Sequence, residues 1–138
     1  MDNIEAIKQL KARYFRTLDT KDWVDLRNVF TDNVHIDTTD IGGGPITGAD
    51  AFIAFLREVL ADAQTIHLGH TPEITLTSET TANGIWMLHD LFIANGTRTV
   101  SYGHLFDTYT KDDDARRIAT SRVTRHHLEV SSAAPGPG

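Results

Sequence analysis

The 138 residues contain no cysteine. Disulfide cross-links, a thiolate nucleophile and a thiolate zinc site are therefore excluded. Long apolar runs are missing too: none approaches the roughly 20 residues that a membrane-spanning helix requires. The N-terminal segment is patterned as an amphipathic helix rather than a secretion signal, so a cytoplasmic protein with no membrane partner is expected. Positive charge is scarce. Lys and Arg number 13 against 19 Asp and Glu, a formal charge of −6, and no basic stripe is present, which argues against a nucleic-acid partner.

Several catalytic signatures are absent as well. Gly42, Gly43 and Gly44 before Pro45 read as a turn or loop. No Gly-Lys-Ser/Thr follows them, so they do not form a phosphate cradle. The pairs His67/His70 and His126/His127 are closely spaced, but no carboxylate lies at a convincing helical offset from them. Neither His-Glu-x-x-His nor a facial triad occurs, and metal catalysis is not expected. No serine occupies a strained nucleophile turn, which disfavours a Ser-His-Asp hydrolase.

What is present fits one domain over residues 1–130, followed by a small-residue, Pro- and Gly-containing tail at 131–138 that is expected to be disordered. Ile4, Ile7, Leu10, Tyr14 and Leu18 form an apolar stripe at helical spacing, and Asp2 with Glu5 makes a capping box at its start. A second helix would carry Asp22, Trp23, Leu26 and Phe30. Asn33 to Thr38 alternates as a strand. Thr47 and Asp50 are placed to cap a third helix whose stripe is Phe52, Phe55, Leu56, Val59 and Leu60. The remainder reads as extended. Thr65 to Leu68 and Pro72 to Thr77 are short strands, while Thr81 to Ile93 and Thr97 to Thr110 flank Asn95-Gly96, a strong hairpin signal. A polar turn at Lys111 to Asp114 leads into the last strand, Arg116 to Val130. Helices first and strands after imply an α+β fold: a cone-shaped α+β barrel in which a curved antiparallel sheet, covered by the N-terminal helices, encloses an apolar pocket.

Inward-facing titratable groups in such a cone are the candidates for chemistry. Asp19 falls at the negative end of the first helix dipole, an uncomfortable place for a carboxylate and a suitable one for a proton-transferring acid. From position alone, Asp19 reads more readily as a cap for the second helix, since such caps are common. His67 lies between Ile66 and Leu68 on a short strand, where a lone histidine is more often structural than catalytic. His104 shares its parity with Val100, Tyr102 and Phe106, an apolar face expected to look inward. Of the neighbours His89 and Asp90, only one can point into the pocket. Arg125 could bind an anionic or carbonyl oxygen, or pair with a surface acid.

The runs IEAIKQLKARYFRTLD (4–19) and HLGHTPEIT (67–75) resemble the bile-acid 7-alpha-dehydratases. More broadly they resemble the SnoaL-like branch of the nuclear-transport-factor-2-like superfamily. LDTKDW (18–23) is similar to the corresponding segment of the scytalone dehydratases. The resemblance implies a cone-shaped barrel and a homo-oligomer, trimer or dimer. It places Tyr14, Asp19 and His67 on the catalytic tyrosine, aspartate and histidine of the bile-acid enzymes. Asp90 falls on a pocket aspartate and Arg125 on a functional arginine. A catalytic histidine of the scytalone dehydratases lies near His104, shifted by two residues. Two departures stand out: Thr38 replaces a pocket tyrosine, and Leu18 replaces the tyrosine beside the scytalone dehydratases' aspartate. The activity implied is a cofactor-independent dehydratase acting on a small, hydrophobic, hydroxylated alicyclic or steroid-like carbonyl compound. Asp90, His104 and Arg125 would contact the substrate. The rivals are an isomerase or epoxide hydrolase of the same superfamily and a non-catalytic ligand-binding module.

Overall fold

A computed structural model describes residues 2–133. Helix α1 (Asn3–Asp19) starts where the Asp2 carboxylate accepts the Glu5 N–H at 2.8 Å. It buries Ile7, Leu10 and Leu18 against the core, and also Lys11 and Thr17. Helix α2 (Trp23–Arg27) is a short turn capped by Asp22, which accepts the Asp25 N–H. The second-helix cap is thus Asp22, and Asp19 is left free of that duty. Phe30 does not continue this helix. It opens strand β1 (Phe30–Asp37), where it is 1% exposed and packs edge-to-face on Phe52 and Tyr14.

After a 3-10 turn at Thr39–Ile41 comes a strand that the sequence reading did not anticipate, β2 (Pro45–Thr47). Thr47 pairs with His35 there and contacts the His35 ring instead of capping α3 (Ala49–Val59), which begins at Gly48 without a side-chain cap. The two short strands expected around His67 and Thr75 form one strand, β3 (Gln64–Leu76), whose register shifts between His70 and Glu73. β4 (Thr81–Ala94) and β5 (Thr97–Asp112) make the long hairpin. Its turn residues Asn95 and Gly96 both have positive φ, 53° and 75°, the geometry that suits a twisted two-residue connection. β6 (Ala115–Ser132) extends past the expected end: Ser131 and Ser132 pair with Arg98 and Thr97. They are therefore sheet rather than tail, because the β5 partner continues to that point; 134–138 lie outside the described residues.

The six strands run β2-β1-β6-β5-β4-β3 in one curved, unclosed sheet. Neighbours are antiparallel except β1 and β6, which are parallel. Helices α1 and α3 lie on the concave face, α1 against β3 and β6 and α3 against β1, and α2 packs on those two helices. On β5, Ser101, Gly103, Leu105, Asp107 and Tyr109 are buried and the intervening residues are not, so the odd positions face the core. One extra residue in β6 between the pairs Tyr102–His127 and Gly103–Arg125 changes the parity of that strand. The result is a cone with its helices inside the curl.

Candidate active site

A cavity of about 530 Å³ opens between α1, α3 and the concave sheet. Phe52, Phe55, Leu56, Leu88, Phe92 and Leu105 give it an apolar wall. Into it project Tyr14 from α1, His67 from β3, Asp90 from β4 and Arg125 from β6. Each position follows from local geometry. Tyr14 and Leu18 are one helical turn apart and share a face. On β3, Thr65, His67 and Gly69 face inward while Ile66, Leu68 and His70 are exposed. Gly69 leaves room for Phe15 and Trp86, which a Cβ there would strike.

Asp19 stands behind the His67 ring at the end of α1. One carboxylate oxygen accepts from His67 Nδ1 at 2.7 Å and from the Thr65 hydroxyl at 2.9 Å. The other accepts the His67 backbone N–H at 2.8 Å. A carboxylate with three donors acts as acceptor only, so the imidazole proton facing it belongs on Nδ1. Nε2 has no protein partner among the described residues and is presented to the cavity. The two side chains are 19% and 21% exposed, shielded enough that bulk water does not compete freely for this contact.

The Tyr14 hydroxyl likewise lacks a protein hydrogen bond among the described residues. Burial pushes its pKa far up, and the negative charges of Asp107, Asp19 and Asp90 push the same way. The phenol therefore stays neutral and donates. Asp90 sits directly across from His67 in the β3–β4 register. Burial raises its pKa, although His67, Arg125 and His89 oppose the shift. Asp90 faces the cavity and His89 the outside, which settles that alternative. Arg125 donates its Nε to the Ser101 hydroxyl at 3.1 Å, and its backbone N–H to Asp40 at 2.7 Å. The terminal nitrogens remain for a ligand oxygen.

His104 is not in the cavity. It lies on the outer sheet face with Phe106, ring centroids 6.2 Å apart. The expectation failed because the outer face of β5, with Val100, Tyr102 and Phe106, is the more apolar in sequence, while Ser101, Gly103 and Asp107 share the inner face with Leu105 and the fully buried Tyr109. Thr38 and Leu18 do line the cavity. The missed feature is a buried polar network under its floor. Lys11 Nζ lies 2.8 Å from Asp107, both side chains 1% exposed or less. Asp107 also accepts from Tyr109 and Ser121, and Trp86 Nε1 donates to Tyr109. The signal was a lysine on the apolar stripe of α1, between Ile7 and Tyr14. Its ammonium rests 4.3 Å from the Tyr14 ring centroid. Among the described residues no cluster of three or more His, Asp or Glu is arranged to hold a metal ion, and no helix is long and apolar enough to cross a membrane.

A sequence-family profile described as a SnoaL-like domain matches residues 1–122. Solved structures share the fold over nearly the whole chain. A provisionally assigned aromatic ring hydroxylase from Novosphingobium aromaticivorans superposes with a TM-score of 0.86 at 20% identity, covering 95% of this chain and 96% of that one. A provisionally assigned scytalone dehydratase from the same organism gives 0.82 at 22% identity, covering 98% and 93%. A type 2 hexachlorocyclohexane dehydrochlorinase (LinA) gives 0.86 at 17% identity, covering 97% and 94%. At identities this low the superpositions establish the shared fold alone.

Proposed function

The chain belongs to the SnoaL-like domain family, and on that premise we propose that it is a carbon–oxygen lyase, a dehydratase that needs no cofactor. Its substrate would be a small hydroxylated carbonyl compound of alicyclic or steroid-like shape, matched to an apolar cavity of this size. The observation that carries the reading is the Asp19–His67 contact, with Nε2 turned toward the cavity that Tyr14 also lines.

Elimination beside a carbonyl needs a base, a donor for enolate oxygen and an acid for the leaving hydroxyl. His67 Nε2 takes the activated C–H proton, and the electron pair moves onto the carbonyl oxygen as an enolate. Asp19 holds the imidazole in the right tautomer and stabilises its charged form. The Tyr14 hydroxyl donates to the enolate oxygen. Collapse of the enolate then forms the C=C bond and breaks the C–O bond. His67 returns its proton to the departing oxygen, which leaves as water. Asp90 and the free end of Arg125 would hold a second polar group of the substrate. The apolar wall excludes water and strengthens each of these contacts. Two of the structural relatives carry names of eliminations, a dehydratase and a dehydrochlorinase, which supports an elimination over a hydrolysis. The enzyme is taken to work as a homo-oligomer.

The test is a panel of hydroxylated cyclic ketones and steroid acids read by product mass. Loss of one water, abolished in His67→Ala by about 100- to 10,000-fold, is the expected result. An unchanged mass with a shifted double bond would make it an isomerase. Tight ligand binding with no product of any mass would make it a binding module.

A further inference from the structure

The charges beneath the cavity floor play no part in the proposed elimination, and stability explains them poorly. A buried ion pair contributes no more than well-packed apolar side chains of the same volume. Asp107 nevertheless gathers three partners: the Lys11 ammonium at 2.8 Å, the Tyr109 hydroxyl at 2.8 Å and the Ser121 hydroxyl at 2.6 Å. Of these three, Ser121 lines the cavity.

Every proton that matters in this cluster can be placed. The Trp86 indole N–H only donates, so the Tyr109 oxygen that it meets at 3.0 Å is its acceptor. Tyr109 then has its single proton left for Asp107. Facing an ammonium, Asp107 is a carboxylate, which accepts and does not donate. The Ser121 hydroxyl also has one proton, and Asp107 takes it. What Ser121 turns to the cavity is therefore lone-pair density alone. A serine without that partner would suit either kind of group, because its proton rotates to fit. Arg125, further along the same strand, is the opposite case, since a guanidinium only donates.

We infer that Ser121 is a specificity-determining residue. It selects a substrate that carries a hydrogen-bond donor, a hydroxyl or an N–H, on the part of the molecule away from the reacting carbonyl. The inference deepens the proposed function and rests on its reading of the cavity as a substrate site.

Position sets the length of that molecule. Ser121 shares a register row with Ile36, Asp107 and Gly84. His67 pairs instead with Asp90, and Asp90 with Ser101. The two rows are six residues apart along β4 and β5, which is ~20 Å on a straight strand and less across the curl. A ligand that touches both ends is a fused polycycle or an equally long apolar body rather than a single ring. The cavity of about 530 Å³ has room for one. Thr65 also gives its proton away, to Asp19, but it stands beside His67 among the reacting groups.

The polarity of Ser121 is held rigidly. Tyr109 is fully buried and Asp107 is 3% exposed, so bulk water does not compete for these bonds. Gly84 makes the space for Tyr109, since a Cβ there would lie 2.7 Å from its hydroxyl. A ligand carbonyl at Ser121 would set lone pairs against lone pairs, losing its bonds to water with nothing in exchange.

Equilibrium dialysis of the full chain at pH 7.5 with tritiated testosterone and tritiated androstenedione tests this. Both carry the same fused-ring ketone. They differ at the far end, where testosterone has a hydroxyl and androstenedione a second ketone. Androstenedione thus offers Ser121 an acceptor in either orientation. The expected result is testosterone bound about ten- to hundredfold more tightly. Ser121→Ala should bring the two dissociation constants within about threefold of each other. Ser121→Thr keeps the hydroxyl and should keep the preference, with thermal melting to verify that both variants are folded. Equal binding by the wild-type chain, a preference for androstenedione, a preference that survives Ser121→Ala, or no binding of either steroid overturns the inference. Because binding is read without turnover, a steroid held with this preference and never dehydrated counts against the lyase reading alone.

Discussion

Lys11→Met is the most informative perturbation of stability. The ammonium is buried and pairs with Asp107 at 2.8 Å, with neither side chain more than 1% exposed. Methionine matches the length of the lysine stem and keeps its packing beneath Tyr14 and Phe15. What it removes is the cation, leaving a buried carboxylate with only the hydroxyls of Tyr109 and Ser121 as donors. Removing one member of a buried ion pair costs about 3–5 kcal/mol. The two remaining hydroxyl donors place the expected loss at the lower end, about 3 kcal/mol. For a chain of 138 residues that corresponds to a fall of roughly 10 °C in Tm. Urea unfolding followed by the fluorescence of Trp86, itself bonded to Tyr109, reads the change. Adding Asp107→Leu should restore part of the loss, because no lone charge then stays buried, and the cycle should show coupling of a few kcal/mol. A loss below about 1 kcal/mol for Lys11→Met, or simple additivity, would refute the view that these two charges depend on each other.

Tyr14→Phe should change stability by less than about 1 kcal/mol, since the hydroxyl has no protein partner to lose. It should lower turnover of an identified substrate about 100- to 1,000-fold; equal turnover would remove Tyr14 from the chemistry. Burial raises the Asp90 pKa, so the folded chain holds that proton to higher pH than the unfolded chain does. Its contribution is therefore full below the ordinary carboxylate range and is lost as pH rises through the raised value. Asp90→Asn should gain stability relative to wild type between acid and neutral pH, and parallel melting curves across that range would contradict this. Gly103→Ala places a Cβ on the Thr124 carbonyl oxygen. Backbone cannot move aside cheaply there, so a loss of about 3 kcal/mol or more is expected, measured by thermal melting.

Much of the cone was legible because periodicity carried it. The stripe of α1, the long hairpin and its Asn95-Gly96 turn were set by short-range pattern. β2 and the parallel β1–β6 pairing were not, since they are long-range pairings of short or ambiguous segments. Asp19 and His67 are 48 residues apart and meet only because α1 ends against β3. Residue-level pattern raised both as candidates, but the resemblance paired them. Parity failed at His104 because the outer face of β5 is the more apolar, while the inner face carries Ser101, Gly103 and Asp107. Asp107 was invisible for a related reason: a lone aspartate on a strand reads as solvent-facing until the lysine that neutralises it is found on another element. Lys11 itself, on an apolar stripe, was the clue.

The central claim is that Asp19 fixes the His67 proton on Nδ1 and frees Nε2 for the cavity. Long-range proton–nitrogen correlation on ¹⁵N-histidine-labelled protein at pH 8 reads the tautomer directly, with the signals lost in His67→Gln assigning the ring. A His67 ring protonated at Nδ1 and bare at Nε2, with that pattern altered by Asp19→Asn, is the predicted result. A ring carrying its proton on Nε2, indifferent to residue 19, would contradict it.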